Sequence, residues 1–170
     1  MIVFILSLFV GAINADQRVL LISDQYTTTI TSPQGKNVSL EKFDNTNYPN
    51  FIGDHAMWLG IEGMNGWPDQ YQATFTAYFF ADATDATLIL TADDVFIAYI
   101  NGRPIATGQN WLKSFTYKIN LTCGVNNLTI VVINYNAGSP GSLIFKVVQD
   151  TTESYKCYPA AYYNYGKCNC

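Results

Sequence analysis

The chain has 170 residues, a formal net charge of −4 and only 13% charged side chains. That length suffices for one domain with a real core, and the charge balance argues against a nucleic-acid partner, which calls for a basic stripe. Aromatics reach 15%, with twelve Tyr, ten Phe and three Trp, so the chain can bury much apolar surface and still turn rings toward a ligand.

Residues 1–15 are expected to form a signal peptide. Ile2 to Val10 is an apolar run of suitable length, and Ile13-Asn14-Ala15 is an acceptable cleavage site, although no Lys or Arg precedes the run. An uncleaved anchor or a buried strand is the competing reading. The run is too short to cross a bilayer as a helix, and no later stretch is long enough. The expectation is a secreted chain with no membrane span after processing.

Residues 18–31 hold two short strand candidates around Ser23-Asp24. Residues 32–54, polar and rich in Asn with two Pro and two Gly, read as loop. Ala56 to Ile61 is a short apolar strand containing Trp58, and Glu62 to Gln70 a turn-rich loop carrying Trp67. Tyr71 to Phe80 alternates, with Ala73, Phe75, Ala77 and Phe79 on one face. Thr87 to Ala92 and Val95 to Ile100 follow as strands. Between them, Asp93 and Asp94 are short carboxylates suited to capping or turn duty; calcium, which takes six to eight oxygens, is the sharper alternative.

Asn101-Gly102 suits a type I′ turn, in which both central residues have positive φ. Pro104 lacks an N–H, so the return strand is expected to be short or at an edge. Phe115 to Leu121 alternates and places Asn120 outward. Leu128 to Tyr135 is apolar on both faces, which predicts a central strand covered on both sides. The loop Asn136 to Gly141 leads to a last strand, Ser142 to Val148. No stretch has a helical period with caps. Many short strands spaced by turn signals predict an all-β antiparallel sandwich over residues 16–150.

Three sequons, at Asn37, Asn120 and Asn127, agree with secretion. The four cysteines, Cys123, Cys157, Cys168 and Cys170, are expected to form two disulfides, with three possible connectivities. Cys168 to Cys170 is the least favourable pair, because a one-residue loop strains the bridge. Zinc is the rival, but the spacing lacks a C-x-x-C pair. Residues 151–170 hold three of the cysteines and five Tyr, and read as a disulfide-stapled C-terminal tail. Tyr155 to Cys170 is expected to contact neighbouring chains, since Tyr offers rigid area with a polar tip.

Asp93-Asp94-Val95-Phe96, Tyr99-Ile100-Asn101-Gly102, Trp111 and Gly124-Val125-Asn126-Asn127-Leu128-Thr129-Ile130 together resemble the galactose-binding-like jelly-roll family, over residues 55–148. The resemblance implies an antiparallel jelly-roll β-sandwich. Relatives include carbohydrate-binding modules, accessory domains of glycosidases and protein-binding ectodomains, so it transfers a shape and not a site. The calcium site frequent in that family depends on loop ligands not identifiable in this sequence.

His55 is the sole histidine, and no G-x-S-x-G elbow accompanies it. Asp82, Asp85, Asp93 and Asp94 fall at turns, where a sandwich offers no deep cleft for a carboxylate pair. The chain therefore reads as a non-enzyme without cofactor or metal. Binding by rings with polar neighbours remains. The candidate carbohydrate-binding residues are Asn65, Trp67 and Asp69 in one loop, Gln109, Asn110 and Trp111 in a second, and Asn136 in a third. Both Trp67 and Trp111 can instead plug the ends of the core, and the family uses the Trp111 position structurally. The free-standing domain, the sequons and the tail favour a secreted, non-catalytic structural or adhesive component of an extracellular matrix, coat or filament. The alternative is a secreted lectin-like module. The partners are then neighbouring protein chains or an extracellular glycan.

Overall fold

A computed structural model describes residues 17–33, 37–40, 48–51, 54–64 and 66–150. The expected signal peptide, Asn65, the tail and Cys157, Cys168 and Cys170 lie outside the described residues. The described strands are β1 (Gln17–Ile22), β2 (Thr28–Thr31), β3 (Val38–Leu40), β4 (Leu59–Ile61), β5 (Tyr71–Ala81), β6 (Asp85–Asp93), β7 (Val95–Ile100), β8 (Arg103–Gln109), β9 (Phe115–Asn120), β10 (Gly124–Asn134) and β11 (Ser142–Asp150). They form two antiparallel sheets. One runs β3-β4-β11-β6-β9, with β1 also paired to β11; the other runs β2-β5-β10-β7-β8.

The period-2 pattern of β5 puts Ala73, Phe75, Ala77 and Phe79 inward, as the sequence predicts. They join Phe96, Ala98 and Ile100 of β7 and Leu128, Ile130 and Val132 of β10. The other sheet supplies Leu88, Leu90 and Ala92 from β6 and Leu143, Phe145 and Val147 from β11. One core thus lies between the two sheets.

Two expectations need correction. β10 is central, between β5 and β7, but its outer side chains Thr129, Val131 and Ile133 remain half-buried and not covered. Their β-branched character is met by shoulder-to-shoulder neighbours, with Val131 standing opposite Thr74 on one side and Ile97 on the other. The strand covered on both faces is β11, where Leu143 to Phe145 are all buried. The second departure explains the cover. Residues 32–54, read as loop, contribute strand β3 and a single 3-10 turn at Pro49–Phe51, and Tyr48 and Phe51 are buried with Ala56, Trp58 and Ile144. This satellite cluster caps the outer face of the six-stranded sheet, with Ile22 and Ile89 packed against it.

The hairpin falls where expected. Asn101 has φ 50° and Gly102 φ 76°, and β8 is an edge strand. A register shift between Ala98 and Tyr99 accommodates the stretch opposite Pro104. Asn126 locks the turn from the neighbouring strand. Its amide donates to the carbonyls of Thr122 (2.7 Å) and Gly124 (3.1 Å), and its Oδ1 accepts from the Thr122 N–H (2.9 Å) and the Asn101 amide (2.9 Å). A Cβ on Gly102 would meet nothing within 4 Å, so Gly102→Val probes backbone conformation alone. It is expected to cost roughly 1–2 kcal/mol, the penalty of a side chain in the left-handed region. Thermal melts check this, and an unchanged midpoint would count against the turn geometry.

Candidate functional site

The corner between β6 and β7 gathers the chain's polar groups. Asp93 ends β6 and Asp94 follows, joined by a cis peptide bond. Asp94 performs the turn duty expected of the pair. Its Oδ2 accepts from the Tyr135 N–H (2.9 Å) and the Asn136 amide (3.1 Å). Its backbone N–H donates to Ile133 (3.3 Å) and its carbonyl accepts from Asn110 (3.3 Å). One residue therefore ties the β6–β7, β8–β9 and β10–β11 connections together.

Asp93 behaves differently. It is 8% exposed, and burial, a hydrogen bond with Asp94 and the charge of Asp94 push its carboxyl up to about 7. Burial and, secondarily, the Asp93 charge also raise the Tyr48 phenol. A carboxyl protonated in the folded chain at a pH where the unfolded chain has released its proton gives stability that is full below about pH 4 and is lost as pH rises through about 7. Asp93→Asn is expected to flatten that decline and to gain roughly 1–2 kcal/mol over the parent at pH 8, allowing for nearby solvent. Urea unfolding at pH 5 and pH 8 tests this; parallel curves for parent and variant would refute it.

Trp58, Asp93, Asp94, Trp111, Asn136, Ser139, Pro140 and Ser142 line a pocket of ≈ 250 Å³ at this corner. Trp58, 2% exposed, packs edge-on to Tyr48 at 5.3 Å. The Tyr48 hydroxyl donates to the Trp111 carbonyl (2.8 Å), fixing the backbone of the opposite wall. The Trp111 side chain itself is free to meet solvent, since the residue is 41% exposed. Ser142 is fully buried, and its Oγ has no hydrogen-bond partner among the described residues.

The wall carrying Asn136, Ser139 and Pro140 is held from behind. Asn134 donates to the carbonyls of Asn136 (2.8 Å) and Pro68 (3.1 Å), while its Oδ1 accepts from Ser139 Oγ (2.6 Å). The Trp67 N–H donates to Ser139 (2.8 Å), and Gly138 donates to the Trp67 carbonyl (2.9 Å). The Trp67 ring is 1% exposed and edge-on to Tyr71 at 5.0 Å. A Cβ on Gly141 would stand 2.1 Å from that ring, so only glycine admits it.

The fold has solved counterparts. An FMN-binding β-glucuronidase from Facaelibacterium prausnitzii is similar at TM-score 0.52 and 16% identity, over 79% of this chain and 23% of that one. The shared fold is an antiparallel β-sandwich of two sheets. A Pleurotus ostreatus lectin in complex with GalNAc is similar at TM-score 0.48 and 16% identity, over 86% of this chain and 39% of that one. A family 35 carbohydrate binding module from Clostridium thermocellum is similar at TM-score 0.44 and 15% identity, over 75% and 95% respectively. The chain spans less than a quarter of the glucuronidase and about two fifths of the lectin. No family model and no curated protein sequence matches it.

Within the sandwich, the predicted residues divide. Trp111 and Asn136 line the pocket together. Asn110 is beside it, with φ 107° and its Oδ1 accepting from Leu112 N–H (3.0 Å). Gln109 and Asp69 are exposed and do not line it, and Asn65 lies outside the described residues. Trp67 is corrected: its ring is a core plug with no face for a ligand. Trp111, read from the family as the structural ring, is the exposed one. Sequence reasoning missed Trp58, Ser139, Pro140 and Ser142, and gave Asp93 a turn role that Asp94 alone performs. Among the described residues, no three His, Cys, Asp or Glu side chains gather as a metal set. His55 is exposed, and the Asp54 carboxylate pairs with Lys146 instead of orienting the imidazole.

Proposed function

We propose that the chain is a non-catalytic carbohydrate-binding module whose site is the Trp58–Trp111 pocket. The observation that carries this reading is the half-exposed Trp111 at a pocket that also holds Asp93, Asp94, Asn136 and Ser142. A sugar ring has apolar C–H faces and a polar hydroxyl rim. An exposed indole offers the first a surface, and fixed carboxyl, amide and hydroxyl groups offer the second its partners. A volume of ≈ 250 Å³ suits one sugar unit and not a long segment.

Several features support the non-catalytic part. Asp93 and Asp94 are consecutive residues on one corner, joined by a single peptide bond, whereas a glycosidase pair stands on either side of the bond it cleaves. The structural or adhesive role expected from sequence has less behind it, because the tail on which it leaned lies outside the described residues. Secretion belongs to the reading: Asn37 and Asn120 are exposed, as glycan acceptors need to be. Cys123 is disulfide-bonded, which agrees with an oxidising compartment. Apart from the β7–β8 hairpin, which stays within one sheet, successive strands from β5 to β11 alternate between the two sheets, which fits a jelly roll.

A glycan array followed by calorimetric titration of the best binders tests the function. Saturable binding of at least one mono- or oligosaccharide is expected, with quenching or enhancement of tryptophan fluorescence. A chain that binds no glycan on the array would return the structural role to first place.

A further inference from the structure

We propose that the pocket selects a sugar carrying a free, positively charged amine over its neutral and acidic counterparts. This rests on the carbohydrate-binding reading and narrows it. Among the described residues, the lining contains two carboxyls and two indoles, and no Lys, Arg or His. A uronic acid entering it would bring a third carboxylate beside Asp93 and Asp94 with no cation to offset the charge. An ammonium group meets the opposite situation. Aromatic faces attract cations through their quadrupole, and carboxylates accept charge-assisted hydrogen bonds.

The hydrogen bonding leaves a place for such a group. Asp94 already accepts from the Tyr135 N–H and the Asn136 amide. Asp93 is bonded by Asp94, and no Lys, Arg or His pairs with it among the described residues. Ser142 Oγ, fully buried on the same pocket, has no partner among the described residues, and is available to a ligand hydroxyl or amine. The groups that act on Asp93 are Asp94 and the Tyr48 phenol, and neither is basic. Burial first, and then Asp94, pushes the Asp93 carboxyl up to about 7, so that a proton there relieves the repulsion between the two carboxyls. A bound ammonium relieves it equally well and releases that proton. The amine N–H then donates to the Asp93 carboxylate, and no covalent bond changes.

The test uses the full chain and four probes in each of two series: glucose, glucosamine, N-acetylglucosamine and glucuronic acid, and the galactose equivalents. Calorimetry at pH 6.5 in two buffers of different ionisation enthalpy gives affinity and proton release together. In at least one series the amine is expected to bind about tenfold more tightly than its neutral parent, to release a proton, and to lose its advantage on N-acetylation. The acid is expected to show no saturable binding. Asp93→Asn should bring the ratio of amine to parent affinity to about one and abolish the proton release. Thermal melts of that variant confirm that it folds. Equal affinity for amine and parent, or preference for the acid, overturns the inference and leaves the carbohydrate-binding function standing. Proton release by calcium chloride but not by the amines also overturns it and makes the pair a metal site. If none of the eight sugars binds, the inference falls, and an array without a binder takes the function down as well.

Discussion

Trp67→Ala is expected to lower the unfolding free energy by about 3–5 kcal/mol, the usual cost of truncating a buried aromatic. The ring is 1% exposed, shares an edge contact with Tyr71, and lies where a Cβ at position 141 would overlap it. Its removal leaves a cavity between the β4–β5 and β10–β11 connections, and the backbone hydrogen bonds of Trp67, donated to Ser139 and accepted from Gly138, keep the backbone from closing over it. Gly141→Ala provides an independent check, since the methyl group must displace the same ring; it too should destabilise. Urea unfolding measures both. A loss under about 1 kcal/mol for Trp67→Ala would show that the ring is not the plug described.

Trp111→Ala is expected to do the reverse. Sugar affinity should fall about thirtyfold or more, the loss associated with an aromatic hot spot of roughly 2 kcal/mol or above. Stability should change by no more than about 0.5 kcal/mol, as at other exposed positions. The wall survives the substitution because Tyr48 and Thr91 bond the Trp111 carbonyl, not its ring. Titration of the best array ligand, beside a urea curve, separates the outcomes. Retained affinity would move the site away from this pocket, and a large loss of stability would make Trp111 a structural ring after all.

The opposite fates of the two tryptophans show where sequence reasoning stops. Strands announce themselves: the alternation of Tyr71 to Ala81 and the Asn101-Gly102 turn are local, and the structure follows them. Loops have no period. Trp67 next to Pro68 in a polar stretch looks exposed, yet its ring turns inward because Gly141, seventy-four residues on, leaves room for it. Tyr48 and Phe51 sit in a polar segment whose composition hides their packing against Ile144. Asp93 and Asp94 are identical in type, and only the surrounding burial and the N–H groups of Tyr135 and Asn136 set them apart. One available signal was overlooked: Trp58 belongs to an apolar run that ends before the first glycine-rich loop, which marks it as cover for a sheet.

Asp94 also bears on how quickly a ligand is captured and let go. Because one residue, through its carboxylate and its backbone, clamps three connections in place, a receptor of the proposed kind has little ordering left to do on association. Docking then approximates a rigid encounter, with the backbone moving little between free and occupied forms. Differences in affinity among related sugars should therefore appear as differences in residence time, with arrival rates nearly constant. Changing the side chains around the clamp would retune how long a guest stays without rebuilding the frame that holds it.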